Sequence, residues 1–125
     1  MSLAALGART YVNLATTRKD GREVLTPVWV APDGERLIVW TNINSGKVKR
    51  IRNGCRSKLA PCDVRGGLKG EWVEVKARVL EDAGERDRAL EAMFRKYGWQ
   101  MQLSRFFGTL SGRWQQRGAI EITAA

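Results

Sequence analysis

The sequence contains no histidine at all. That removes the commonest general base and the commonest metal ligand together. It also excludes any hydrolase built on a Ser-His-Asp or Cys-His arrangement. The two cysteines, Cys55 and Cys62, have no metal-ligand spacing, so no metal site is expected. Long apolar runs are missing too, and none approaches the roughly 18 residues that cross a bilayer. The N-terminal "MSLAALGART" has neither a basic start nor an apolar stretch of signal length. The chain is therefore expected in the cytoplasm, where a disulfide is not expected. If the protein is an enzyme, something other than its own side chains carries the chemistry, and no catalytic acid or base is assigned.

Acidic residues are scarce in one half only. Residues 1–70 carry 13 basic and 5 acidic side chains, whereas residues 71–125 carry 9 and 8. The net charge of +9 thus belongs almost wholly to the first half. A field localised in this way implies an anionic partner more than a uniform one would. The remainder is ordinary: 125 residues, 43% hydrophobic and 28% charged, suit one compact domain spanning residues 1–125.

Turn residues divide the chain into strands. "TYVNLATT" (Thr10–Thr17), "REVLTPVWV" (Arg22–Val30) and "ERLIVWT" (Glu35–Thr41) are rich in β-branched and aromatic residues. The turns "RKDG" and "APDG" separate them and make an antiparallel meander. Pro27 inside the second run predicts an edge, a bulge or a place where pairing is broken. "SKLAPCDV" (Ser57–Val64) reads as a fourth strand. In "EWVEVKARVL" (Glu71–Leu80), Val73, Val75, Ala77 and Val79 alternate with Trp72, Glu74, Lys76 and Arg78, as a fifth strand does. "AIEITA" (Ala119–Ala124) closes the sequence as a sixth, after a loop "SGRWQQRG". Between the last two strands lie two helical patterns. Asp82 and Glu85 resemble a capping box, and Leu90, Met93, Phe94 and Tyr97 follow at helical spacing up to Gly98. Trp99, Leu103, Phe106 or Phe107, and Leu110 form the second apolar stripe, read as core or substrate lining. The order predicts a mainly β domain with α: a six-stranded antiparallel barrel, a short helix and a C-terminal helical pair.

The short helix is the chemically loaded element. After Trp40 and Thr41, Asn44 or Ser45 can cap a helix whose apolar face is Val48, Ile51 and Cys55. Six basic residues, Lys47, Lys49, Arg50, Arg52, Arg56 and Lys58, follow with no acid among them. A helix start offers unpartnered N–H groups and a favourable dipole to an anion. Thr41 and Ser45 add hydroxyl donors, Gly46 permits close backbone approach, and Lys47 lies in the first turn. A bound phosphate, a nucleic acid and a merely solvated basic face all remain open at this level. Cys62 reads as a buried thiol that packs as a small hydrophobe.

The run "ATTRKDGREVLTPVWVAPDGERLIVWTNINSGKVKRIRNGCRSKLAPCDVRG", with "KYG" at Lys96–Gly98 and the closing "IEIT", resembles the pyridoxamine 5'-phosphate oxidase-like superfamily. Within it, the pattern is most similar to the deazaflavin (coenzyme F-420)-dependent branch. The order and spacing of these motifs from Tyr11 to Thr123 carry the resemblance. It implies a split β-barrel that dimerises, with a flavin-type cofactor at the subunit interface. It implies that Thr26, Pro27, Val28 and Trp29 lie along the cofactor ring, that Trp40 and Thr41 end near its phosphate, and that Ser45, Gly46, Lys47 and Arg50 hold that phosphate. Lys49, Arg52 and Arg65 border the region. Gly70 departs from the pattern, since many members place a polar contact residue there. The implied activity is hydride transfer to or from a small organic substrate, with coenzyme F-420 as cofactor and FMN as the alternative. The protein is not expected to act on a membrane, and nucleic acid is the weaker partner. Alternatives are a non-catalytic carrier of the same cofactor and a basic nucleic-acid-binding barrel.

Overall fold

The computed structural model describes residues 2–125. Helix α1 (Leu3–Gly7) precedes β1 (Tyr11–Thr17), β2 (Glu23–Asp33) and β3 (Arg36–Asn42). Helix α2 (Gly46–Arg52) leads to β4 (Ser57–Cys62) and β5 (Val73–Leu80). Helices α3 (Ala83–Tyr97) and α4 (Trp99–Ser111) and a single 3-10 turn (Trp114–Gln116) connect to β6 (Arg117–Ala124). The strands close in the order β1-β2-β3-β6-β5-β4, every pair antiparallel.

Period-two alternation builds the core. Val12 and Leu14 of β1, Val30 of β2, Val39 of β3, and Ile120 and Ile122 of β6 fill the barrel interior. Leu6 of α1 joins that cluster, as do Val48 and Ile51 of α2. The alternate residues Ala31, Ile38, Trp40 and Ala119 face outward and pack against Ala92, Met93 and Tyr97 of α3 and Met101 of α4. The capping box behaves as expected: the Asp82 carboxylate accepts from the Glu85 N–H at 3.1 Å.

Several boundaries differ from the sequence reading. β2 continues through Ala31 and Pro32 to Asp33, because the chain reverses only at Gly34, whose φ is +63°. β4 stops at Cys62, where the Asp63 carboxylate accepts from the Arg65 and Gly67 N–H groups and turns the chain. Cys55 lies beyond the end of α2 but still packs on the barrel core. Helix α1, only five residues long, carries too little periodicity to be legible; the Ser2 hydroxyl caps it by accepting from the Ala5 N–H. The second apolar stripe is the largest correction. Met101 is the one buried residue of α4, while Trp99, Leu103, Phe106, Phe107 and Leu110 are exposed. The helix turns its Met101–Gly108 side inward: a Cβ at Gly108 would meet the Trp114 ring at 3.3 Å, so the missing side chain admits that indole.

β2 changes partner along its length, which is where the barrel splits. Residues Glu23–Trp29 pair with β1, and Val30–Asp33 pair with β3. At the changeover, the Val30 N–H donates to the Tyr97 hydroxyl at 2.9 Å, and that hydroxyl lies 2.8 Å from the Thr10 carbonyl. Lys96 Nζ donates to the Val30 carbonyl at 2.5 Å and to the Gly7 carbonyl at 2.8 Å, and also reaches that of Arg9. The "KYG" run therefore supplies from α3 the hydrogen bonds that the strand lacks at its switch.

Candidate anion and cofactor site

Strand alternation decides what the split exposes. The Val30–Thr10 bridge and the Arg18 N–H to Arg22 carbonyl bond (2.7 Å) both fall on the hydrogen-bonded class of β1–β2 positions. Pro27 opposes Asn13 on the other class, so its backbone points away from β1, and at this height β3 is not paired with β2. The proline thus stands where no ladder N–H is needed, as its sequence position predicted. Its carbonyl faces the split. Val28 has its side chain in the barrel core and its backbone turned to β1. Trp29 stacks on Tyr97 with ring centroids 4.4 Å apart and planes 8° off parallel. Thr26 lies half-buried at the same edge.

Trp40 and Thr41 point in opposite directions. Thr41 is buried on the interior face with Val39. Trp40 packs in the outer cluster against Trp114, at 5.6 Å between ring centroids, and its indole N–H is buried without an acceptor. Thus Trp40 presents its side chain to α3 rather than to α2.

Ser45 is the N-cap of α2, yet its hydroxyl donates to the Asn42 carbonyl at 2.7 Å instead of capping the helix. The space over Gly46 is occupied by Arg50: a Cβ there would lie 2.9 Å from a guanidinium nitrogen. Arg50 Nε donates to the Thr16 hydroxyl at 2.8 Å, which folds its side chain back over the helix start. The glycine therefore makes room for Arg50, a different use of its missing side chain from the close ligand approach expected.

The fold sorts the six basic residues. Arg52 pairs with Glu81 at 2.6 Å and Lys58 with Glu23 at 3.0 Å. Lys47, Lys49, Arg50 and Arg56 have no carboxylate partner among the described residues. Lys47 is half-buried, and its ammonium is held below the ordinary lysine range by burial and then by Arg117 and Arg50. Three cations gathered without a carboxylate are costly until an anion joins them.

Arg117 was not legible from the sequence, which placed it in a loop. It is the first residue of β6 and pairs with Asn42, three residues before the α2 cap. Arg18 and Lys19 were missed as well, because they read only as turn residues. The β1–β2 hairpin brings them to a groove of about 620 Å³ with Gly46, Lys49, Arg50 and Arg56. Asp20, the acid on that groove, is engaged by Arg22 at 2.8 Å. Among the described residues no group of three or more His, Cys, Asp or Glu could hold a metal. Cys62 is buried, and burial followed by Asp63 pushes its thiol up.

Gly46→Ala tests the packing of Arg50. The added Cβ displaces the terminal guanidinium nitrogen that lies 2.9 Å from it, while helix propensity rises by less than about 1 kcal/mol at this first helical position. The expected result is pyrophosphate binding weakened about fivefold, with thermal stability unchanged or raised, measured by titration and by melting of the same sample.

The comparisons agree with the barrel fold. Residues 3–125 match the family model described as pyridoxamine 5'-phosphate oxidase. The conserved hypothetical protein Rv2991 of Mycobacterium tuberculosis superposes with a TM-score of 0.69 at 21% identity, over 99% of this chain and 81% of that one. HutZ of Vibrio cholerae, described as a heme storage protein, gives 0.69 at 14% identity over 100% and 92%. A Clostridium acetobutylicum protein related to general stress protein 26, of the pyridoxinephosphate oxidase family, gives 0.65 at 16% identity over 97% and 79%. These identities speak for the fold alone. No curated protein matches the chain in sequence. With the family model covering nearly the whole sequence and the split six-stranded barrel beneath it, the chain belongs to the pyridoxamine 5'-phosphate oxidase family.

Proposed function

We propose that the protein is an oxidoreductase that binds a flavin-type cofactor, coenzyme F-420 or FMN, and uses it on a small organic substrate. The carrying observation is the acid-free cluster of Lys47, Arg50 and Arg117 at the end of the strand beside the split. The residues fit such a group. Lys47, Arg50 and Arg117 would hold the phosphate, while Ser45 ties the helix start to Asn42 and Gly46 leaves room for the Arg50 side chain, with Thr41 beneath them. The ring would lie against the β2 edge at Thr26, Pro27 and Trp29, where the Pro27 carbonyl is free to accept. Asn13, opposite Pro27, lies buried beneath that edge and donates to the Gly66 carbonyl at 2.7 Å. Val28 and Trp40 act in this reading through packing only.

When bound, a flavin or deazaflavin supplies the hydride chemistry, and the protein supplies binding, orientation and electrostatics. The absence of histidine is compatible with that division of labour. The groove lined by Arg18, Lys19, Lys49 and Arg56 favours the deazaflavin, whose anionic oligoglutamate tail is longer than one phosphate. Each exposed contact contributes on the order of 1 kcal/mol and is screened by salt, so several are needed to bias the choice. A homodimer with the cofactor between subunits completes the proposal.

Two experiments bear on it. Reduced, cofactor-loaded protein is mixed without oxygen with a panel of small organic acceptors. Acceptor-dependent reoxidation faster than with free cofactor is expected; no reoxidation by any acceptor, with the cofactor still bound, would make the protein a carrier. Pro27→Ala introduces an N–H that faces the split beside the carbonyl. It is expected to weaken cofactor binding about three- to tenfold, and unchanged affinity would remove the ring from that edge.

A further inference from the structure

Helix α4 carries an exposed apolar face. Trp99, Phe106, Phe107 and Leu110 are 70%, 58%, 61% and 70% exposed, and they line one side of a helix of 13 residues. Such a contiguous apolar surface marks a binding site more often than chance. Its ends are tied to both ends of the proposed cofactor site. Trp99 follows Tyr97 and Gly98, and Tyr97 stacks on Trp29 of β2. The other end passes through the Trp114 turn into Arg117, the neighbour of Lys47. A helix of this length spans about 20 Å.

At the C-terminal half of α4, Phe107, Gly108 and Leu110 share an open groove of about 630 Å³ with Arg113 and Arg117. Neither arginine has a carboxylate partner among the described residues. We infer that this groove seats an amphiphilic organic anion, with an aromatic or aliphatic body on Phe107 and Leu110 and an acidic group between Arg113 and Arg117. Charge complementarity selects that occupant. A second copy that set this groove against itself would face the two arginines with the same two guanidinium groups, and a neutral apolar ligand would leave both arginines unused. The binding does not rest on the cofactor reading.

The test uses the cofactor-free protein and two fluorescent probes of similar body, anilinonaphthalenesulfonate and the uncharged phenylnaphthylamine, with sedimentation of the same samples. The sulfonate is expected to bind about tenfold more tightly than the amine. Arg113→Gln abolishes that discrimination. Leu110→Gln weakens both probes about tenfold and leaves cofactor affinity unchanged; both side chains are exposed, so the fold is kept. Equal binding of the two probes by the native protein would overturn the inference. So would exclusion of both probes from a dimer that Leu110→Gln dissociates, since a second copy would then cover the groove. Discrimination between the probes in a protein that binds neither F-420 nor FMN would keep the groove and discard the cofactor reading.

Discussion

Lys47→Gln is expected to weaken binding of the phosphorylated cofactor about ten- to a hundredfold while leaving the cofactor-free fold at least as stable as before. The two halves of this result have one cause. Lys47 is half-buried beside Arg117 and Arg50, and burial followed by both neighbours depresses its basicity. For a basic group this means that the folded state disfavours the ammonium, so removing the charge relieves the empty site. An anion reverses the balance, because a charge-assisted hydrogen bond contributes about 1.5–3 kcal/mol. Glutamine keeps the length and part of the hydrogen bonding but not the charge. Melting with and without inorganic phosphate reads both halves together: the native protein should gain markedly more from phosphate than the variant does. A variant that loses stability without ligand and keeps its affinity would make Lys47 a structural residue.

Tyr97→Phe is expected to cost about 2 kcal/mol of stability, which lowers the melting temperature by about 6–10 °C for a domain of this size. The lost hydroxyl bridges β1 to β2 at the residue where β2 changes partner. Without it, the fully buried Val30 keeps an N–H with no acceptor. The ring itself, stacked on Trp29, remains in the variant, so the effect isolates the hydroxyl. The pH dependence gives a second reading. Burial, the leading influence, pushes the Tyr97 phenol up from its ordinary 10.0 to about 12. The unfolded chain therefore loses this proton at lower pH than the folded protein does. The contribution is complete below pH 10 and is lost as pH rises from 10 to 12. Urea unfolding between pH 8 and pH 11 should show native stability falling above pH 10 and a flatter profile for Tyr97→Phe. Parallel profiles would mean that Tyr97 does not govern the alkaline loss.

What the sequence made legible follows from range. The meander, the capping box at Asp82 and the alternation of β5 depend on residues a few positions apart, and each took the form that its spacing predicts. Pro27 could be read as an edge, a bulge or a break in pairing because proline lacks an N–H wherever it stands, and it lies on the side of β2 that β3 leaves unpaired. Ser45, Gly46 and Lys47 are adjacent in the chain, so their gathering needed no tertiary knowledge. Arg117 is 70 residues from Lys47 along the sequence, and only the Asn42–Arg117 pairing brings them together. The hairpin that carries Arg18 and Lys19 to the groove is likewise a consequence of barrel closure. The α4 stripe shows the complementary limit. Helical periodicity identifies an apolar face, but not whether that face meets the core. Here Met101, Gly108 and Trp114 settle the inward side, and the more conspicuous residues face outward.

The most direct measurement is parallel fluorescence titration of the cofactor-free protein with coenzyme F-420 and with FMN at two salt concentrations, repeated on Arg117→Gln. Tight binding of F-420, weaker binding of FMN, a moderate salt dependence and a loss of about tenfold or more in the variant are predicted. Tight FMN binding with weak F-420 binding would retain the site and exchange the cofactor. Binding of neither, or binding that Arg117→Gln leaves unchanged, would contradict the assignment of the Lys47, Arg50 and Arg117 cluster as the cofactor's phosphate site.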